Sequence, residues 1–260
     1  MFQYEFMQHA LIAIIVASLI AGLIGYLTLL RRLAFAAHGL GHISFTGATL
    51  ALLLQISPMA GQFAATLSAA LMMGFLGEDL HKRDMAVAMV LSLMLGLGVL
   101  FLHYQTQSAN AATALLFGNV LGVSGSEIET MAGVSVLIIL ILLLILRPLL
   151  YASIAPAWAE ARGVPNRRLG ILFMLLLALA VTLVSQIVGA LLVFVLLIGP
   201  AAMSMHLVHR FWPGMVLSMA LAVIFSVLAL VLSFYTNWPV SVWLTLLVFA
   251  GYGSVLRLKA

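Results

Sequence analysis

The sequence predicts an all-α, polytopic membrane protein with about nine transmembrane helices (eight or nine). The 260 residues are 65% hydrophobic and only 7% charged, whereas roughly 25% of the residues of an ordinary soluble domain are charged. The apolar residues form uninterrupted runs close to the ~20 residues that a helix needs to cross a bilayer. The chain is therefore expected to be a multi-pass protein of the cell membrane.

The predicted spans follow one another with short connections. The first four cover residues 10–30, 35–56, 61–77 and 85–103. The apolar stretch at 111–123 is too short to cross and predicts an outer-face or re-entrant helix. The remaining five spans are predicted at 130–146, 169–186, 188–205, 214–234 and 240–256, with Gln186 and Gly189 marking a tight turn.

The basic residues predict the orientation, with the N-terminus outside and the C-terminus cytoplasmic. With nine spans, all eleven Lys and Arg fall on one side, as the positive-inside rule requires of the cytoplasmic face. These residues are Arg31, Arg32, Lys82, Arg83, Arg147, Arg162, Arg167, Arg168, Arg210, Arg257 and Lys259. The sequence pI near 9.8 is thus explained by membrane orientation, and no nucleic-acid partner is expected.

The chain is predicted to be one transmembrane domain over residues 1–260, with no catalytic activity of its own. Neither Lys82 nor Lys259 follows the glycine-rich turn of a phosphate-binding loop, so ATP hydrolysis would need a partner protein. The chain has no cysteine, which excludes disulfides and thiolate metal sites.

Two histidines, His38 and His42, lie within the second predicted span. Their i,i+4 spacing puts both on one helix face, where two imidazoles can bind one metal ion. Ionisable groups at membrane depth usually face a bundle interior or a water-filled cavity, which makes them candidates for a transport pathway. The alternative is that they only form hydrogen bonds to neighbouring helices.

A second candidate site is the cytoplasmic segment at about 152–168, which contains a short helix-forming stretch between Pro156 and Pro165 that ends at Gly163. We interpret it as a coupling segment that docks a cytosolic motor protein. Its candidate contact residues are Pro156, Trp158, Glu160 and Gly163.

Four separated motifs resemble the ABC-type manganese/zinc/iron permease family, the membrane subunits of metal-uptake transporters. The family's Arg-Arg…Gly-Asp-Ala-x-Ser-His signature resembles Arg31-Arg32 followed by residues 37–42, and its Leu-Phe-Gly-Asp resembles residues 116–119. Its coupling segment resembles residues 154–164, and its Val-Gly-Ala-Leu…Pro-Ala-Ala resembles 188–191 and 200–202. The motifs occur in the family's order over most of the chain.

The resemblance implies a homodimer or close paralogue dimer, a cytosolic ATP-binding subunit on each coupling segment, and an extracytoplasmic metal-binding protein that delivers the cargo. The metal would be transported, with no cofactor bound permanently. His38 replaces the family's pathway Asp, and Asn119 and Asn237 stand where the family often has Asp. Two copies of His38 and His42 would form a four-imidazole site, which favours zinc, copper or nickel over manganese. We therefore expect zinc as the cargo, with manganese or iron as alternatives.

Other functions remain open at this stage. An ABC permease for a non-metal solute would make both histidines structural, and a secondary metal transporter would need the paired intramembrane acids that this sequence lacks. A non-transporting scaffold would copurify with no ATPase. An intramembrane metalloprotease is opposed by the absence of a His-Glu-x-x-His helix.

Overall fold

The computed structural model describes residues 4–77, 80–104 and 116–257, with the backbone alone described at 80–83. Across these ranges the secondary structure consists of helices, and no strand is present. Ten α-helices are described: α1 Glu5–Leu30, α2 Ala34–Leu53, α3 Pro58–Leu76, α4 Leu80–His103, α5 Gly125–Ile154, α6 Pro156–Ala161, α7 Asn166–Val188, α8 Val193–Leu207, α9 Phe211–Thr236 and α10 Val240–Arg257.

The nine long helices among the described residues each correspond to one predicted span. Seven of them are long and apolar enough to cross a membrane. The other two are α2, which carries both candidate histidines, and α8, which has only 15 residues. The predicted all-helical, multi-span fold is confirmed, and which side faces the cytoplasm stays a prediction.

Helix α5 is longer than the span predicted at 130–146. It has 30 residues and continues through Pro148 as far as Ile154. Proline removes one backbone hydrogen bond and commonly kinks a helix, but the apolar residues that follow it continue the helix here. At ~1.5 Å per residue, α5 is roughly 45 Å long and exceeds the ~30 Å hydrocarbon core.

The span predicted at 188–205 also differs, because the helix begins only at Val193. The chain turns at Gly189, whose φ of 88° lies in the left-handed region that glycine adopts without a steric penalty. The predicted turn is confirmed at Gly189, whereas Gln186, the other residue predicted to mark it, lies in the last turn of α7. Of the short helix predicted at 111–123, residues 111–115 lie outside the described residues, and a 3-10 turn spans Val120–Gly122.

The chain divides into two compact units, and the prediction of a single domain over 1–260 stays a prediction. One unit comprises residues 30–106 and 133–182, in which α2 packs against α3 and α4. Small residues bring α2 and α3 together, because a Cβ on Gly47 or on Gly61 would clash with the carbonyl oxygen of the other. Close backbone approach at small residues is the usual way that membrane helices associate.

The other unit comprises residues 1–29, 107–132 and 183–260, in which α8, α9 and α10 pack on one another. Helix α1 approaches them through two glycines. A Cβ on Gly25 would clash with the carbonyl oxygen of Leu197, and one on Gly22 would lie 2.6 Å from the Cα of Met219. The buried hydroxyl of Ser218 donates a 2.8 Å hydrogen bond to the carbonyl oxygen of Gly22.

Candidate metal pathway and coupling segment

The two histidines of α2 meet through their ring nitrogens. The Nε2 atoms of His38 and His42 lie 3.2 Å apart, and the ring centroids lie 4.6 Å apart at an interplanar angle of 88°. One protonated nitrogen can donate to the lone pair of the other at this distance. The predicted shared helix face is therefore observed, and the two rings converge on it.

This separation also suits a shared metal ion. Two Zn–N bonds of ~2.0–2.1 Å at the tetrahedral angle place their nitrogens about 3.3–3.4 Å apart. The observed 3.2 Å between the two Nε2 atoms is close to that spacing. The spacing of the two nitrogens is therefore compatible with two bonds to one metal ion.

The histidines lie on a side of α2 that the described residues cover only in part. His38, His42 and Phe45 are partly exposed and Phe35 is 42% exposed. Their spacing places them along one stripe of the helix, here called the histidine face. Most of the other α2 residues, including Gly39, are buried.

Within the part of the chain that the structure describes, the histidine pair does not belong to a larger cluster of metal-binding side chains. Among the residues that the structure describes, no group of three or more His, Cys, Asp or Glu side chains is positioned to hold a metal ion. Within its own unit, the ring centroid of His206 lies 5.9 Å from that of Tyr252. One chain therefore supplies two imidazoles, and a four-ligand site needs groups from another source.

Helix α2 is fixed in place on its buried sides. Thr46 donates a 2.8 Å hydrogen bond to the carbonyl oxygen of Met94 in α4. A Cβ on Gly98 would lie 2.7 Å from the Thr46 hydroxyl oxygen, so α4 also approaches α2 closely. These contacts hold the histidine face as part of a rigid helix.

The coupling segment folds as a short, exposed helical turn. Helix α6 begins at Pro156, a favourable first position because proline needs no hydrogen-bond partner for its nitrogen. Trp158 is 66% exposed, and Glu160 is exposed beside it. The turn ends at Gly163, whose φ is 77°. The four predicted residues thus occur on one exposed turn.

Hydrogen bonds close this turn on itself. The Val164 amide donates a 2.9 Å hydrogen bond to the carbonyl oxygen of Ala159. The side-chain nitrogen of Asn166 donates a 3.0 Å hydrogen bond to the carbonyl oxygen of Pro156. The exposed side chains therefore stand on a backbone that is already ordered.

Two of the sequence motifs meet at a second place, within the unit that contains α8 to α10. Gly118 and Gly189 both have positive φ, 80° and 88°, and a Cβ on either would clash with the backbone of the other's segment. The Leu191 amide also donates a 3.3 Å hydrogen bond to the carbonyl oxygen of Leu116. Sequence reasoning found both motifs, but it gave no sign that they touch.

A cleft of about 1210 Å³ opens beside this junction. Apolar side chains form most of its wall, together with neutral amides and hydroxyls that include Asn119, Ser233, Asn237 and Thr245. None of the described residues lining it is ionisable. The cleft therefore lacks the imidazole and carboxylate groups that bind transition metals most strongly.

Comparison with known proteins identifies the family. The profile of the ABC 3 transport family matches residues 3–252. The chain belongs to the ABC 3 transport family. It is therefore a membrane permease subunit of an ATP-binding-cassette system of the metal type in the plasma membrane, and it is not an enzyme.

Individual relatives match over nearly the whole chain. The "Manganese import system permease protein ScaB" of Streptococcus parasanguinis is 31% identical over 236 residues, which cover 90% of this chain and 84% of ScaB. The "Probable iron transport system membrane protein" of Haemophilus influenzae is 30% identical over 235 residues, which cover 90% of this chain and 86% of that protein.

A solved structure matches as well. "PsaBC from Streptococcus pneumoniae in complex with Fab" superimposes with a TM-score of 0.85 at 26% identity, covering 99% of this chain and 96% of that chain. The family resemblance inferred from the four motifs is thereby confirmed. Family membership also implies partner proteins, namely an ATP-binding subunit and a substrate-binding protein.

Proposed function

We propose that this chain is the membrane subunit of a homodimeric importer of divalent transition-metal ions, and that the ion passes along the histidine face of α2. The 3.2 Å approach of the two Nε2 atoms carries the proposal, because it presents two metal ligands on a helix face that the described residues leave partly exposed. Intramembrane ionisable groups of this kind are costly and usually serve a transport path.

A second copy of the chain is the proposed source of the missing ligands. Each chain supplies two imidazoles and no further cluster of ligands among its described residues. Two histidine faces meeting across a two-fold axis would supply four imidazoles, which matches tetrahedral coordination of zinc. Phe35 and Phe45 flank the histidines on the same stripe, where they would exclude lipid and water from the bound ion.

The identity of the cargo is argued from ligand chemistry. Imidazole suits zinc, whereas carboxylates suit manganese, so replacement of the family's Asp by His38 favours zinc. The names of two relatives give manganese or iron for those proteins, and these ions are the second candidates. The ion is cargo in either case, with no permanently bound cofactor.

The energy for transport would come from an ATP-binding subunit that docks on the coupling segment. Trp158 and Ile154 are 66% and 73% exposed, and an exposed tryptophan on an ordered turn is typical of a protein-docking residue. An extracytoplasmic metal-binding protein would deliver the ion from the other side, and lipid would surround the remaining apolar helices.

The test is ATP-dependent uptake in proteoliposomes that contain the chain and its copurifying ATPase. Zinc, manganese and iron would be offered separately to the wild type, to His38→Ala and to His42→Ala, with His206→Ala as the matched control. We expect uptake to fall at least about tenfold in the first two variants, the scale of loss on disturbing a metal site, and to persist in the control.

Unchanged uptake in a His38→Ala/His42→Ala double variant would remove the pair from the mechanism. If no metal moves while a non-metal solute does, the cargo proposal fails and the family assignment remains. Size-exclusion profiles of all variants show whether each still assembles.

A further inference from the structure

One arginine joins both ends of the coupling segment to the start of the histidine helix. Arg31 Nη1 donates a 2.9 Å hydrogen bond to the Ser153 hydroxyl and a 3.5 Å hydrogen bond to the carbonyl oxygen of Leu149, both in the last turns of α5. The Arg31 Cζ atom also lies 5.4 Å from the centroid of the Phe173 ring in α7. Helices α5 and α7 are the two stems that carry the coupling segment.

The chemistry of arginine suits this double contact. A planar guanidinium can donate hydrogen bonds along its edge while its face stacks on an aromatic ring, and a lysine ammonium cannot do both in this geometry. The Phe173 ring is completely buried, so its position is set by packing. The guanidinium therefore contacts both stems of the coupling segment.

On its other side, Arg31 is close to the histidines along the chain. It lies in the turn that ends where α2 begins at Ala34, and Arg32 beside it adopts a φ of 56°. At ~1.5 Å per residue, His38 lies roughly 6 Å along the helix axis from Ala34, the first residue of α2. Because Thr46 joins α2 to α4, a displacement of this turn would act on α2 and α4 together.

A second contact also joins a stem of the coupling segment to a helix that packs on α2. Arg167, in the first turn of α7, donates a 3.4 Å hydrogen bond from Nη2 to the carbonyl oxygen of Phe75 near the end of α3. Helix α3 is the helix that meets α2 at Gly47 and Gly61. The stems of the coupling segment are thus connected to the α2–α3 pair at two places.

We propose that Arg31 is the positioning residue that transmits movement of the coupling segment to the histidine face. Displacement of α6 by the ATP-binding subunit moves the ends of α5 and α7, and Arg31 passes that movement to the first turn of α2. The inference rests on the proposed function for the nature of the cargo. The mechanical link itself rests on the contacts of Arg31.

The first readout is the amount of metal imported per ATP hydrolysed in the reconstituted complex. Arg31→Met removes the guanidinium and keeps an unbranched side chain, whereas Arg32→Met changes the exposed neighbour as a matched control. We expect the ratio to fall at least tenfold in Arg31→Met, with ATP hydrolysis retained, and to be unchanged in Arg32→Met. Arg31→Lys should restore less than half of the wild-type ratio, because it cannot make both contacts.

The second readout does not depend on the cargo. The chain has no cysteine, so Phe45→Cys would place a single thiol on the histidine face. Each protein in this experiment carries Phe45→Cys. We expect ATP to change the rate at which a water-soluble maleimide labels this thiol when Phe45→Cys is the only change and when Arg32→Met is added. We expect no change in the rate when Arg31→Met is added. If Arg31→Met does not assemble, Ser153→Ala takes its place, with an expected two- to fivefold fall in the transport ratio.

The outcomes separate the two proposals. An ATP-dependent change in labelling without movement of any metal contradicts the proposed cargo and leaves the Arg31 link standing. A wild-type transport ratio and labelling response in Arg31→Met, or in Ser153→Ala where Arg31→Met does not assemble, overturns the link. An equal loss in Arg32→Met, or no ATP-dependent change in the wild type, overturns it as well.

Discussion

Gly47 of α2 and Gly61 of α3 face each other so closely that neither position has space for a side chain. A Cβ on either residue would clash with the carbonyl oxygen of the other. The contact brings α3 against the helix that carries His38 and His42, on a side away from the histidine face. Packing between two glycines therefore helps to determine where the proposed pathway lies.

Gly47→Ala is expected to destabilise the protein. The added methyl group must displace the α3 backbone, and overpacking of this kind typically costs ~1–3 kcal/mol. The midpoint of thermal unfolding in detergent should fall relative to the wild type. Gly96→Ala in α4 is the matched control, because a Cβ there meets nothing within 4 Å, and a midpoint reduced equally by both changes would contradict the packing argument.

His38→Asp is expected to shift the cargo preference from zinc toward manganese. It exchanges one imidazole of the pair for a carboxylate, which suits manganese better. The ratio of manganese to zinc uptake should rise by about tenfold or more, the scale of affinity change seen when metal sites are altered. Parallel uptake assays check this ratio. His206→Asp should leave it unchanged, and a constant ratio in His38→Asp would argue against direct contact between His38 and the ion.

Trp158→Ala is expected to weaken binding of the ATP-binding subunit. Loss of a central tryptophan commonly costs at least ~2 kcal/mol of binding free energy, or about 30-fold in Kd. Trp158 is 66% exposed, so its removal should leave the unfolding midpoint of the chain unchanged. Titration of the purified subunits measures the Kd.

Tyr235→Ala is the control for that experiment, since Tyr235 is 72% exposed near the opposite end of α9 from Arg210. On the predicted topology it lies outside the cell and cannot meet a cytosolic protein. Equal weakening by both variants would show that neither aromatic residue is a specific docking contact.

Gly189→Ala and Gly163→Ala separate backbone strain from steric clash. Both glycines have positive φ, 88° and 77°, a conformation that costs other residues roughly 1–2 kcal/mol. A Cβ on Gly163 meets nothing within 4 Å, whereas one on Gly189 would clash with the carbonyl oxygen of Leu116. Thermal unfolding should therefore show a small loss for Gly163→Ala and a clearly larger one for Gly189→Ala. Equal losses of stability would mean that the backbone at the Gly118–Gly189 junction accommodates the added methyl group without a steric penalty.

The sequence alone determined the number of long helices, the turn at Gly189 and the common helix face of His38 and His42. These features follow from local quantities, namely the length of an apolar run, the conformational freedom of glycine and the 3.6-residue helical period. The end of α5 was predicted too early, because the predicted span stopped before Arg147 and Pro148, residue types that commonly mark the end of a span. The helix instead continues through Pro148 as far as Ile154.

Only the tertiary structure decided which side of α2 stays partly exposed, that Gly118 meets Gly189, and that Arg31 contacts both Ser153 and Phe173. Each of these depends on which distant helices pack together, since small residues at several places could each have permitted a close approach. A sequence shows where such an approach is possible, and the packing of all helices selects the pairs that form.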